Sequence, residues 1–355
     1  MLMSITDGWD GVKETIPNHD LSGNSVSIII PARNEAKNIK ACIQSVIQSD
    51  ARNINYEILL IDDHSEDETS ELVKREFPNV NILKLDATQG KKAAIDLGIS
   101  KAVSDHCIII DADVIVSSSW LTSHCTIWKD EKPWFVAGPV LCSYKENLLS
   151  AFQIMDYLAL AQTIANGIKR RTYHIANGAN MAISKKIYEE IGGIKDHAHV
   201  ASGDDMFLIK KVAGLDPLRV SYLKDPEAVA YTLPEESWLD FLRQRKRWST
   251  KTKALPKDDS YRIQTFIFGI HLLIILNFIF IPLTGGTSFF TGIFMLFIKG
   301  CIDFLFLSKI GRYFSIKRPF KLFIPALLIY FPYIFYMAFH AVKGGNYQWK
   351  GRSVS

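Results

Sequence analysis

The stretch from Tyr261 to Val342 is dominated by phenylalanine, isoleucine and leucine, and it constrains this chain more than any other feature. Three segments in it, about 263–283, 288–309 and 320–342, each approach the ~20 apolar residues that cross a ~30 Å hydrocarbon layer. A soluble core rarely encloses helices so long and so uniformly apolar, so a membrane region of two to three helices is expected. Lys251, Lys253, Lys257 and Arg262 precede the first segment, and Lys309, Arg312, Lys317, Arg318 and Lys321 separate the second from the third. Both clusters favour the cytoplasm, and two crossings return the chain to the same side. Lys343, Lys350 and Arg352 in the tail favour that side too, which three full crossings would not allow. Pro325 and Pro332 interrupt the third segment, a pattern that also fits a re-entrant or interfacial helix. Lys299 and Asp303 are i,i+4 neighbours inside the second, placed to pair with each other or to face a polar cavity.

The preceding part reads as soluble. The net charge of +4 is too small to imply nucleic acid. Five scattered cysteines lack metal spacing and read as reduced core residues of a cytosolic domain. The N-terminus has no signal-peptide pattern. Short apolar runs, "VSIII" (26–30), "YEILLIDD" (56–63), "VNILKLD" (80–86) and "HCIIIDADV" (106–114), alternate with helical patterns. Continuous apolar strands separated by helices predict a parallel sheet covered on both faces. Ligands of such sheets bind at the carboxyl ends of the strands. Asn34 and Glu35 follow the first strand, Asp62 and Asp63 end the second, and Asp111 and Asp113 end the fourth.

One Asp-x-Asp triplet is weak evidence, since about one or two are expected by chance at this aspartate content. Its position after "CIII" is more telling, because paired carboxylates suit Mg²⁺ or Mn²⁺ completed by phosphate oxygens. In "ILLIDDHSEDET" (58–69), helix capping explains 65–69 but not the acidic pair at the strand edge. A carboxylate there is placed to accept hydrogen bonds from a uracil or a ribose. In "SGDDMFL" (202–208), Asp204 and Asp205 read either as N-terminal helix acids or as a general base. "WLDFLRQRKRW" (238–248) puts Trp238, Phe241, Leu242 and Trp248 on one helical side opposite a basic one, as in an interfacial amphipathic helix. Arg247 in it offers a bidentate fork to a diphosphate, and Trp248 a flat face to a sugar.

Taken in order, "SIIIPARNEAKNI", "ILLIDDHSEDET", "QGKKAAIDLGI", "IIIDADV", "NGANMAISKKIYEEIGGI", "GDDMFL" and "QRKRW" resemble the family 2 glycosyltransferases, over about 27–248. The resemblance implies an α/β fold of the GT-A, Rossmann-like type, joined here to C-terminal transmembrane helices. It implies an inverting transfer from a nucleotide-sugar. Pro31, Asn34, Glu35, Asp62 and Asp63 would line the nucleotide pocket, with Lys91 approaching the nucleotide-sugar. Asp111 and Asp113 would bind the diphosphate through Mg²⁺ or Mn²⁺. Gly178 and Asn180 would line the donor-sugar and acceptor site. Asp205 matches the catalytic base, and Asp204 stands where the family more often has Glu. Gln244, Arg247 and Trp248 match a Gln-x-x-Arg-Trp motif serving the acceptor and the diphosphate. The tail "WKGR" (349–352) resembles a motif of membrane-bound members.

The expected organisation is a leader (1–24), a GT-A domain (25–235), an interfacial helix region (236–260), a transmembrane region (261–342) and a basic tail (343–355). The expected activity is sugar transfer, with UDP-sugar as the favoured donor, to a lipid or lipid-linked acceptor in the bilayer. The catalytic domain would face the cytoplasm. Three apolar segments are few for a polymer channel, so a processive polysaccharide synthase is the second reading. A sugar-nucleotide nucleotidyltransferase would open on a Gly-rich run, where this chain has "PARNEAKN". A degenerate, non-catalytic domain would have lost acidic positions, and all three acidic sites are filled.

Overall fold

A computed structural model describes residues 8–18, 20–51, 53–172, 174–194, 203–250, 259–284, 286–343, 347–349 and 352–354. His197, His199, Lys251, Lys253, Lys257, Lys350 and Gly351 lie outside the described residues, as do 1–7 of the leader.

The first half alternates as its apolar runs require: β1 (Asn24–Ala32), α1 (Ile39–Gln48), β2 (Ile54–Asp62), α2 (Thr69–Glu76), β3 (Asn81–Lys84), α3 (Lys91–Lys101) and β4 (His106–Ile110). There follow β5 (Val114–Val116), α4 (Trp120–Glu131), β6 (Phe135–Ala137), β7 (Val140–Cys142), α5 (Leu148–Arg170), β8 (Asn180–Ser184), α6 (Lys185–Glu190), α7 (Asp204–Leu215), β9 (Val220–Tyr222) and β10 (Ala230–Thr232). A seven-stranded sheet runs β3-β2-β1-β4-β8-β6-β9. Its first four strands are parallel, and β8 is antiparallel to both neighbours. A second sheet is β5-β10-β7.

Ile28, Ile29 and Ile30 of β1 are fully buried, as are all of Cys107–Ile110 in β4, which is what a sheet covered on both faces demands. In α1, Ile39, Cys42, Ile43 and Val46 form the buried stripe that their spacing predicts. The stretch before β1 is held to this unit. Trp9 and Leu21 are buried, and Lys224 Nζ donates to the Trp9 and Val12 carbonyls at 3.2 Å each.

By contacts the chain divides into two units. Among the described residues, the α/β unit comprises 8–143, 163–233 and the tail from 347 on, and the helical unit 144–162 and 234–343. The helical unit holds the start of α5, then α8 (Trp238–Thr250), α9 (Asp259–Ile279), α10 (Thr287–Tyr313) and α11 (Phe323–Lys343). Phe152 and Met155 of α5, Phe241 of α8, and Phe323, Leu327 and Tyr333 of α11 share one core.

Among the described residues four helices are long and apolar enough to cross a membrane: Leu148–Arg170, Tyr261–Ile279, Thr287–Tyr313 and Arg318–Ala341. The last three hold the segments expected from sequence. The first is 72% buried within the protein, against 11%, 11% and 22% for the others, so it reads as an interior helix. Pro332 lies inside α11 without ending it. Lys299 and Asp303 pair with each other along α10.

The burial of α8 differs from the amphipathic reading. Its interior stripe is Phe241, Arg245 and Ser249, spaced i, i+4, i+8, while Trp238 and Leu239 are exposed. An arginine counted on the basic side is thus the innermost polar residue of the helix. At the tail, Trp349 and Arg352 pair across β11 (Tyr347–Trp349) and β12 (Arg352–Val354).

Candidate active site

Because β1, β2 and β4 are parallel, their carboxyl ends share one sheet edge, with Ala32 in register with Asp62. β8 runs the other way, so its first residue, Asn180, pairs with Ile110, the last of β4. The turn leading into β8 therefore reaches the same edge as Asp111.

Lys91, at the start of α3, reaches into this corner. Its ammonium ion-pairs with Asp111, donates to the Gly178 carbonyl at 3.2 Å and lies 3.7 Å from Asp204 Oδ2. Burial alone would push the Lys91 pKa down, but the charges of Asp111, Asp204 and Asp205 outweigh it and raise the group above an ordinary lysine.

Asp204 and Asp205 open α7 behind Gly203, whose φ of 93° is the left-handed conformation that glycine adopts without strain. Both acids are buried and occupy the helix end that favours negative charge. Asp205 Oδ2 accepts from the Gly178 N–H at 3.1 Å, and Oδ1 from the Met206 N–H at 2.8 Å. A Cβ on Gly178 would stand 3.1 Å from Lys91 Nζ and 3.3 Å from Asp204 Oδ2, so a side chain there would crowd the corner. Five expected site residues, Lys91, Asp111, Gly178, Asp204 and Asp205, thus come together.

Asp113 follows Asp111 in a turn and is half-buried. Burial pushes the Cys42 thiol of α1 up, and the charges of Asp113, Asp111 and Glu35 push it further. Among the described residues no group of three His, Cys, Asp or Glu side chains is arranged to hold a metal. The available donor set is two carboxylates, which fits a hard divalent cation whose remaining ligands are phosphate and water oxygens. An approaching diphosphate would otherwise meet a mainly acidic edge.

The remaining residues expected at a nucleotide pocket lace two loops together. Pro31 stands opposite Ile61 in the β1–β2 register. Asn34, at φ 52°, donates its N–H to Ser65 Oγ at 3.1 Å and accepts from the Glu66 N–H at 2.8 Å. Glu35 donates its N–H to Thr69 Oγ1 at 2.8 Å, and its carboxylate accepts from Asn38 Nδ2 at 2.8 Å. Asp62 accepts from the Ser65 N–H at 2.9 Å and Ser70 Oγ at 2.6 Å. Burial pushes the Asp62 carboxyl up, but these bonds and the Lys84 charge hold it below its ordinary value. Asp63 Oδ2 accepts from the Gly90 N–H at 3.0 Å, which ties the end of β2 to the residue preceding Lys91.

Asn180, expected to line the acceptor site, is fully buried. Its Nδ2 donates to the Pro139 and Ala228 carbonyls at 3.0 and 3.5 Å, and its Oδ1 accepts from Trp120 Nε1 and His124 Nε2 at 3.0 Å each. All four hydrogen-bonding places of the amide are filled from within the chain. Asn180 therefore anchors the turn that carries Gly178.

Gln244, Arg247 and Trp248 lie on α8, in the helical unit. Gln244 Nε2 donates to Glu235 Oε1 at 2.7 Å, and Gln244 Oε1 accepts from Arg245 Nη1 at 2.5 Å. Trp248 is half-buried and meets Tyr157 edge-on, with ring centroids 6.1 Å apart. Burial and Asp240 push the Glu235 carboxyl up, against the pull of Arg247 and Arg245. Sequence reasoning missed Asp156, Glu235 and Arg245. The Phe241–Arg245–Ser249 spacing was the available signal for the last.

The profile of Glycosyl transferase family 2 matches residues 27–192. This stretch of the chain is thus similar to a family 2 glycosyltransferase domain. Glycosyltransferase AglE of Haloferax volcanii is 26% identical to it over 189 residues, 52% of this chain and 60% of that protein. The probable glycosyltransferase YdaM of Bacillus subtilis is 26% identical over 234 residues, 63% of this chain and 54% of that one. The chain thus covers a little over half the length of these curated relatives. A solved mannosyltransferase of Pyrobaculum calidifontis, in complex with GDP-Man and Mn²⁺, superposes with a TM-score of 0.58 at 17% identity. That likeness covers 96% of this chain and 93% of the other, and it is one of fold. The fold here has the GT-A architecture, and Lys91, Asp111, Asp113 and Gly178 all fall within the matched residues.

Proposed function

We propose that this chain is a membrane-bound, inverting glycosyltransferase that moves a sugar from a nucleotide-sugar to a lipid or lipid-linked acceptor at the cytoplasmic membrane face. The observation that carries this reading is the gathering of Lys91, Asp111, Gly178, Asp204 and Asp205 at one sheet edge of a family 2 domain. The apolar helices of the same chain support a membrane-resident acceptor. The similar mannosyltransferase, solved with GDP-Man and Mn²⁺, supports a nucleotide-sugar donor and a divalent cation.

The roles follow from position. Asp111 and Asp113 would hold Mg²⁺ or Mn²⁺, which when bound neutralises diphosphate charge as a Lewis acid. Pro31, Asn34, Glu35, Asp62 and Asp63 shape the two loops at the nucleotide end of the edge. Lys91 orients Asp111 and keeps a cation beside the acidic corner. Asp205 takes the proton of an acceptor hydroxyl as that oxygen bonds to the anomeric carbon. The bond from that carbon to the diphosphate breaks, its electron pair leaves with the diphosphate, and the configuration inverts. Asp204 balances the Lys91 charge next to the base. Gln244 and Trp248 are assigned to the acceptor and Arg247 to the diphosphate on the strength of their motif.

The test incubates membranes bearing the full chain with a panel of UDP- and GDP-sugars, and scores nucleotide release together with labelled lipid. One donor is expected to give a single labelled lipid product. No transfer from any donor would overturn the reading, and a ladder of long products would replace it with a processive synthase.

A further inference from the structure

We propose that Arg245, paired with Asp156, is a positioning residue that fixes the orientation of Gln244 and Trp248, a proposal that rests on the glycosyltransferase reading of their motif. Arg245 is 2% exposed, although it lies in the most basic run of the chain. Its Nε and Nη2 both meet Asp156 Oδ2, at 2.8 and 2.7 Å. Its third nitrogen, Nη1, donates to Gln244 Oε1 at 2.5 Å. The guanidinium carbon lies 4.0 Å from the Trp248 ring centroid, 4.7 Å from that of Phe241 and 5.1 Å from that of Tyr157.

One planar group therefore does three things. It neutralises Asp156, supports the Trp248 ring and fixes the oxygen end of the Gln244 amide. Glu235 accepts from the other end of that amide at 2.7 Å, so the two donor–acceptor contacts leave one way for the amide to point. Lysine cannot reproduce this, because a compact ammonium lacks both the flat face and the fork. Arg245 itself is enclosed by protein, so it acts through its neighbours.

A plain structural role is the competing explanation: the pair would only bind α8 to α5. The two roles separate when both charges are removed. Replacing a buried ion pair by apolar residues of similar size is often neutral for stability, whereas removing one partner strands a buried charge. The full chain in detergent micelles is compared with Arg245→Met, Arg245→Lys and the double variant Arg245→Met/Asp156→Leu. Thermal midpoint, nucleotide release and acrylamide quenching of Trp248 are measured, the last as the difference from a matching Trp248→Phe protein.

Arg245→Met is expected to lower both the midpoint and turnover. The double variant should regain the midpoint, keep the KM for the nucleotide-sugar and still turn over about tenfold or more slowly, with Trp248 more open to acrylamide. Arg245→Lys should fold and show the same loss of turnover. Recovery of both midpoint and turnover in the double variant, or unchanged Trp248 quenching, would overturn the proposal. If the parent chain releases nucleotide from no donor, the glycosyltransferase reading fails, and the quenching measurement still decides whether Arg245 orients Trp248.

Discussion

Asp205 rests its carboxylate on two backbone amides, those of Gly178 and Met206, and this fixes the direction in which it can take a proton. Asp205→Asn keeps the shape and removes the proposed base. Turnover should fall about 100- to 10,000-fold with nucleotide binding retained, and full turnover would exclude the assignment. Asp111 and Asp113 make a separate prediction. Mn²⁺ should bind the chain measurably by calorimetry without donor, and Asp113→Asn should weaken it. Chelation should stop transfer until Mg²⁺ or Mn²⁺ is restored, and transfer that survives chelation would rule out the metal role. Of the residues named from sequence, Asp205 and Lys91 come together because strand ends and helix starts converge. The burial of Asn180 was not legible, because a motif position does not tell whether a side chain faces the surface or the interior.

At the scale of elements, the turn before β8 is held from behind by α4. Trp120 and His124, both on α4, converge on Asn180, and the Gly138 N–H donates to the Asn180 carbonyl at 2.9 Å. Asn180→Ala would leave two buried donors and the Pro139 and Ala228 carbonyls without this side chain as a partner. It should cost roughly 3 kcal/mol in thermal unfolding, and it should slow turnover by loosening Gly178 and hence Asp205. Unchanged kinetics would show that the turn holds itself.

His124 adds a pH dependence. Burial pushes its pKa from 6.5 down to about 4, and the Asn180 hydrogen bond offsets this only in part. The folded state thus refuses a proton that the unfolded state takes up below about 6.5, so stability rises with pH across this window and is lost toward its acid end. At 1.36 kcal/mol per pH unit the penalty approaches about 3 kcal/mol near pH 4. His106 stacks on Trp128 at 3.9 Å and is held well below its usual range by burial and by His124, so it acts in the same direction. Thermal midpoints measured from pH 7 to 4 should fall, and His124→Gln should flatten that slope. An identical slope in the variant would remove His124 from the account.

For the whole molecule, three apolar helices with only 11%, 11% and 22% of their apolar windows buried within the protein make membrane residence a direct expectation. The chain should stay in the membrane pellet through alkaline carbonate extraction, and its recovery in the supernatant would contradict this. Leu148–Arg170 would pass the same test of length and composition, yet its 72% burial marks it as an interior helix. Apolarity alone does not distinguish a protein interior from lipid. The chain also divides in a way that linear boundaries do not suggest, since residues 144–162 join 234–343 in the helical unit.

The sequence by itself determined the α/β alternation, the acidic strand ends, the three lipid-suited helices and the family resemblance. Each is written in local spacing, either the period of apolar residues or the order of short motifs. Tertiary structure alone decided that Lys91 sits among Asp111, Asp204 and the Gly178 carbonyl, that Asn180 is an interior anchor, and that Arg245 is the buried centre of α8. These facts depend on pairings between distant residues, such as β4 with β8 and Asp156 with Arg245. Local periodicity carries no record of which distant partner a side chain meets.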